Sequence, residues 1–362
     1  MTVDSMQIVI KIGTSLLEVK AEQLIGNLAK ELSSLKGKHR FIIVTSGAIK
    51  LGMDKLGIRS RPRDLNKLQA CAAIGQPMLM DIYSTAFSRH GVNTAQVLLT
   101  QDDFNDRVRY LNMRNALLEL VEMCAIPIVN ENDTVSVHEL EGIFSDNDEL
   151  AALLAIGMDA EALVLLSSVD GLMRDGKQGS DIISELSDID ETIFSLANGK
   201  SSSGTGGMLS KLRAAKKASL AGVKVIITNG RKKNCVQEAL EGKAGTLIKP
   251  RCRVTGKKKW IAFGTREKGE LLLNKCAADA IKKGASLLAV GIVECKGSFN
   301  KGDVVKIIDA NGHVIAKGIS NYSSAEITAI KGRNSSEIEK LMGYAYGSVL
   351  YRDNMVFSSD LQ

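Results

Sequence analysis

Apolar residues fall into two alternating patterns over the first two thirds of the chain. Short runs of β-branched and aliphatic residues at 6–12, 41–44, 94–99, 126–129, 163–166 and 223–227 have the length and composition of buried strands. Between them, 21–35, 66–90, 109–124, 150–156 and 208–220 carry apolar residues at helical spacing. The helix over 66–90 is expected to be interrupted near Gly75-Gln76-Pro77, and 134–142 reads as a β-like excursion. Strand alternating with helix over 6–228 predicts an α/β fold, a mainly parallel sheet with helices on both faces.

The rhythm stops in a basic, polar stretch (Lys249, Arg251, Arg253, Lys257, Lys258, Lys259) that reads as a solvated linker. Beyond it lie short strands at 288–290, 304–308 and 313–316, the last two joined by the hairpin turn Asp309-Ala310-Asn311-Gly312. The expected organisation is a domain over 1–250, a basic linker over 251–268 and a small β-rich domain over 269–352.

Polar clusters follow the strands of the first domain. Lys11 with Gly13-Thr14-Ser15 comes after the first, Ser46-Gly47 after the second, and Asn130-Glu131-Asn132-Asp133 after the fourth. Ser167-Ser168 follows the fifth, and Asn229 closes the next. In a parallel sheet these ends share one edge, the edge where ligands of open α/β sheets bind. Taken singly, each is equally an ordinary turn or a snorkelling lysine. Asp146-Asn147-Asp148 opens the helix at 150–156, and either Asp146 or Asn147 is placed to cap it.

Gly204-Thr205-Gly206-Gly207-Met208-Leu209-Ser210-Lys211 is the sharpest feature. Its glycines leave backbone N–H groups open just before a helix N-terminus, a natural anion site. Lys211 lies in the first helical turn, where a cation is unfavourable unless an anion is bound. The spacing is not that of a Walker P-loop.

Composition narrows the classes. A chain of 362 residues with net charge +6 and 44% hydrophobic residues is ordinary for a two-domain globular protein. Six cysteines (Cys71, Cys124, Cys235, Cys252, Cys276, Cys295) show no CxxC pair, which points to reduced, buried thiols in a cytoplasmic protein without a structural zinc. No segment reads as a signal peptide or a membrane span. At 4% aromatic residues, base-stacking platforms are scarce.

Two lysines at separate phosphate-facing positions, Lys11 and Lys211, describe phosphoryl transfer from a nucleotide to a small acceptor. Ser46, Asp133 and Asn147 suit a zwitterionic ligand, with Asp133 able to pair with an ammonium. None of the four histidines (His39, His90, His138, His313) falls in a cluster. An alcohol acceptor needs a general base, whereas a carboxylate is already ionised at neutral pH. The composition of the clusters therefore leans towards an acyl-phosphate product. Mg²⁺ would travel with the nucleotide phosphates, keeping several waters and few protein ligands.

Five stretches in order resemble the glutamate 5-kinases of the amino acid kinase family: 9–15, 44–49, 129–133, 146–148 and 204–211. The C-terminal part is similar to a PUA domain, best at 297–303. The resemblance implies an α/β/α sandwich with a small β-rich PUA-like C-terminal domain. It implies transfer of the γ-phosphoryl of ATP to the side-chain carboxylate of L-glutamate, the first step of proline biosynthesis.

By that resemblance Lys11 and Lys211 stabilise the transferring phosphoryl group, and Asp148 holds both lysines. Ser46, Asp133 and Asn147 contact glutamate. Lys11, Ser167, Ser168, Thr205, Gly206, Gly207, Met208, Leu209, Ser210 and Lys211 contact ATP. Lys211 is expected to lie outside the core. Feedback inhibition by proline and a dimeric or tetrameric assembly are implied as well. Three positions depart from the family pattern: Ser168 stands for an aspartate, Ser145 for a glycine and Ser210 for a threonine. The alternatives are an amino acid kinase with another acceptor and an RNA-binding protein acting through its C-terminal domain.

Overall fold

The computed structural model describes residues 5–18, 21–136, 147–174, 181–197, 207–251, 256–344 and 346–358. The chain divides into two compact units, one of 1–103 with 112–251 and one of 104–111 with 252–362.

In the first unit β1 (Met6–Ile12) leads through α1 (Thr14–Leu17) and α2 (Ala21–Leu35) to β2 (His39–Val44). The helices α3 (Ala48–Lys55) and α4 (Leu65–Ser88) precede β3 (Thr94–Leu99). Next come α5 (Asp102–Asn105) and α6 (Arg107–Glu122), of which residues 104–111 belong to the second unit, and then β4 (Ile126–Glu131), α7 (Asn147–Gly157) and β5 (Ala162–Ser167). The short β6 (Glu185–Leu186) and α8 (Glu191–Leu196) lead to α9 (Met208–Leu220), β7 (Lys224–Asn229), α10 (Cys235–Leu240) and β8 (Thr246–Ile248). The sheet order is β3-β4-β2-β1-β5-β7-β8-β6. Pairing is parallel from β3 to β7, and β8 adds antiparallel to β7.

β1 is central and pairs on both sides, with Lys11 level with Val44 of β2 and Leu165 of β5. Leu98 stands opposite Asn130, and Ser167 opposite Asn229. This register brings the polar strand exits to one edge of the sheet. Side chains alternate across β1. Ile8, Ile10 and Ile12 enter the core built with α2, α4 and α10. Val9 and Lys11 take the opposite face, and α7 packs against β1.

Four expectations change. α4 runs unbroken through Pro77, because one buried face of Leu68, Cys71, Ala72, Gly75, Leu79, Tyr83 and Phe87 holds it. Burying that face outweighs the one backbone hydrogen bond that proline removes, about 3 kcal/mol. Residues 257–264, inside the expected solvated linker, are helical, with Lys259, Trp260, Ile261 and Ala262 buried. The stretch expected as a strand at 288–290 is instead mostly a 3₁₀ turn at Ala289–Gly291, and the strand begins at Ile292. Of the cysteines, Cys71 and Cys235 are buried, but Cys124 and Cys276 are exposed. Thr134 and Val135 form a turn, and the remainder of the expected 134–142 excursion, from 137, lies outside the described residues, as does Cys252.

The second unit holds a sheet in the order β10-β9-β11-β12-β13, from β9 (Gly269–Leu273), β10 (Ile292–Gly297), β11 (Val304–Ile308), β12 (Val314–Ile319) and β13 (Met355–Phe357). Its core gathers Leu271, Phe299, Val305, Ile307, Tyr322 and Ile327.

Candidate active site

Three elements distant in sequence meet at the carboxyl edge of the central strand. Lys11 leaves β1, Asp148 sits in the first turn of α7, and Lys211 in the first turn of α9. Lys11 Nζ lies 2.5 Å from Asp148 Oδ1, and Lys211 Nζ lies 2.9 Å from Asp148 Oδ2. The Ser210 hydroxyl adds a hydrogen bond to Asp148 Oδ2 at 3.0 Å. Asp148 is fully buried, and Lys11 and Lys211 are 3% and 5% exposed. Lys211 is therefore not outside the core as expected: Asp148 supplies the anion that allows a cation in a helical first turn.

Burial alone would raise the Asp148 carboxyl. The charges and hydrogen bonds of Lys11 and Lys211 outweigh it and bring the pKa down to about 2. The carboxylate stays ionised throughout the neutral range. One buried anion thus bridges two buried cations. Such a cluster is suited to an anionic ligand.

The neighbouring residue of α7 builds the second half of the site. Asn147 Nδ2 donates to Thr45 O at 2.7 Å, to Ser46 Oγ at 2.8 Å and to Asn130 Oδ1 at 3.0 Å. Asn130 in turn donates to Gln76 Oε1 at 2.9 Å. Thr45 N donates to Val129 O, and its hydroxyl meets the buried Tyr83 hydroxyl at 2.8 Å. Gly47 follows at φ +99°, a left-handed conformation that releases the chain from β2 straight into α3. Ser46 and Asn147, both expected to contact one ligand, are in direct contact, and Asn147 is covalently next to Asp148. The two halves form one site.

Asp133 is half-buried and lines a small cleft with Ile49, Leu65, Leu68, Gln69 and Ser136. Ser167 is buried at the end of β5, where its carbonyl accepts from Gly230 N, and Ser168 is half-buried beside it. Gly207, Met208, Leu209 and Ser210 are half-buried around the start of α9. Thr205 and Gly206 lie outside the described residues, as do Ser145 and Asp146.

Gln76 is the residue that sequence reading missed. Its signal was there: it is the one amide among the buried residues of α4, between Ala72 and Leu79. Asp170 is a second omission, held by Asn229 Nδ2 and Lys232 Nζ, each at 2.9 Å, near the exit of β5.

The profile of the amino acid kinase family matches residues 6–229, and that of the PUA domain residues 269–342. A glutamate 5-kinase from Caldanaerobacter subterraneus subsp. tengcongensis is 41% identical over 364 residues, which cover 97% of each chain. The chain belongs to the glutamate 5-kinases of the amino acid kinase family. A second glutamate 5-kinase, from Thermus thermophilus, is 37% identical over 363 residues and 98% of each chain. Among solved structures, a carbamate kinase from Giardia lamblia bound to AMP-PNP aligns at a TM-score of 0.49, with 19% identity, covering 68% of this chain and 99% of that one. The membership of the glutamate 5-kinase family rests on the sequence matches, which run almost from end to end.

Proposed function

We propose that this chain transfers the γ-phosphoryl group of ATP to the side-chain carboxylate of L-glutamate, giving L-glutamyl 5-phosphate for proline biosynthesis. Membership of the glutamate 5-kinases supports the activity. The observation that carries the mechanism is the Lys11–Asp148–Lys211 bridge.

The acceptor carboxylate needs no base, because it is already ionised. One of its oxygens forms a bond to the γ-phosphorus while the bond to the β,γ-bridging oxygen breaks, and ADP leaves with the electron pair. Charge develops on the equatorial oxygens and the leaving group. Lys11 and Lys211 neutralise it, and Asp148 holds both ammonium groups in advance, so the site need not reorganise during transfer. Ser46, Asn147 and Asp133 receive glutamate, with Asp133 taking its ammonium. Ser167, Ser168 and the segment from Thr205 to Lys211 receive the nucleotide.

Mg²⁺ fits as an ion carried by the phosphates. Asp148, the buried carboxylate of the site, is already engaged by two lysines, which leaves the phosphates to carry the ion. Bound there, the ion would draw charge from the phosphate oxygens. Feedback inhibition by proline, a homo-oligomer and a cytoplasmic location are further proposals, supported by family membership. No helix among the described residues is long and apolar enough to cross a membrane.

An acceptor screen with ATP and Mg²⁺, in hydroxylamine to trap acyl phosphates as hydroxamates, tests the reading. L-glutamate is expected to give ADP and hydroxamate together. ADP and hydroxamate from aspartate or N-acetylglutamate instead of glutamate would reassign the acceptor.

A further inference from the structure

The amides of Asn147, Asn130 and Gln76 form a chain whose direction one backbone carbonyl decides. Thr45 O can only accept, so the Asn147 atom 2.7 Å away is its nitrogen. That nitrogen lies 3.0 Å from Asn130, which must present its oxygen. Asn130 therefore turns its nitrogen to Gln76, 2.9 Å away, and Gln76 presents its oxygen. The Gln76 nitrogen is left buried with no hydrogen-bond partner among the described residues. Reversing Asn130 and Gln76 together would set two NH₂ groups 3.0 Å apart, donor against donor. Native interiors rarely leave such a donor unmet.

The backbone that carries this donor is held tightly. A Cβ on Gly75 would come within 1.8 Å of Ala48 O, so α4 touches the start of α3 backbone to backbone next to Gln76. Gln69 lies seven residues earlier, on the same face and about 10 Å along the helix. It lines the cleft that contains Asp133. One face of α4 thus carries both Gln69, at the cleft that Asp133 also lines, and an unmet N–H donor on a residue only 8% exposed. A zwitterionic dicarboxylic acid has matching needs: an anion for its ammonium, and donors for its carboxylates.

We propose that the side-chain nitrogen of Gln76 donates a hydrogen bond to a carboxylate of the bound acceptor amino acid and so helps determine specificity. The inference rests on the amino acid acceptor proposed above. Asn130 and Asn147 are positioning residues here: they hold the Gln76 oxygen and so fix which atom of that amide is left to donate.

Steady-state kinetics of the full chain and its Gln76→Glu and Gln76→Met variants test this, with melting midpoints to confirm folding. Gln76→Glu keeps an oxygen to accept from Asn130 and replaces the donor by an anionic oxygen. KM for L-glutamate is expected to rise by about 10- to 100-fold, with KM for ATP within about twofold. Gln76→Met removes the donor without adding charge and keeps an unbranched stem, so a rise of about five- to tenfold is expected. A folded Gln76→Met or Gln76→Glu protein with the wild-type KM for L-glutamate overturns the inference and assigns the nitrogen to an ordered water. If Gln76→Glu does not fold, Gln76→Met decides. A wild-type chain inactive on L-glutamate fails the proposed function instead; an active wild type with unmoved KM in the variants fails this inference alone.

Discussion

Asp148 carries more of the chemistry than any other side chain, and its contribution can be separated by substitution and pH. Asp148→Asn keeps the shape and removes the charge that two buried ammonium groups share. Turnover is expected to fall by about 100-fold or more, with KM for L-glutamate changed by less than about threefold. Stability should drop by about 3–5 kcal/mol at neutral pH, since two buried cations lose their partner. The folded pKa of Asp148, about 2, lies below its ordinary 3.8. A depressed carboxyl stabilises the fold above its unfolded value and loses that effect as pH falls through the folded one. The stability gap between wild type and Asp148→Asn should therefore narrow from about pH 5 towards about pH 3, as read by urea unfolding. A gap that stays constant over that range would mean that Asp148 is not held ionised by the lysines. At this scale the sequence was legible for charged groups at strand and helix ends, where position alone predicts a ligand edge. It was silent on Lys211 burial, because only the folded chain shows Asp148 reaching it.

Between elements, the contact of α3 with α4 positions the acceptor half of the site. Cβ atoms on Gly52 and Gly75 would each come within 1.8 Å of a backbone oxygen of the facing helix. Gly75→Ala must push α3 away, and with it Gly47 and Ser46. A loss of about 2–3 kcal/mol and a raised KM for L-glutamate are expected, measured by thermal melting and initial rates. A variant with wild-type melting and KM would show that α3 adapts freely. The strands themselves were readable, since uninterrupted β-branched runs at 6–12 and 163–166 have no competing helical pattern. The continuity of α4 was not. Gly75-Gln76-Pro77 reads locally as a break, and the burial that overrides it comes from partners elsewhere in the chain.

In the molecule as a whole, the PUA-like unit is not simply the C-terminal third of the chain. It includes residues 104–111. Within it Trp260 Nε1 donates to Phe104 O at 3.0 Å, and its ring stacks on Tyr110 at 5.5 Å between centroids. Trp260→Ala should cost that unit about 3–5 kcal/mol, visible by calorimetry as a lowered transition. An unchanged transition would mean that the Trp260 contacts contribute little. A separation of about 150 residues leaves no local pattern from which this pairing could be read, so the basic stretch around it looked like a linker. The alternation of strands and helices over 6–228, in contrast, announced the first unit from its own periodicity.

The most direct measurement is the steady-state rate of ADP formation from ATP and L-glutamate by Lys211→Ala, in protein shown to be folded by circular dichroism. The bridge at Asp148 predicts a loss of about 1,000-fold in kcat, with KM for L-glutamate within about threefold of wild type. A folded Lys211→Ala chain that turns over at the wild-type rate would contradict it.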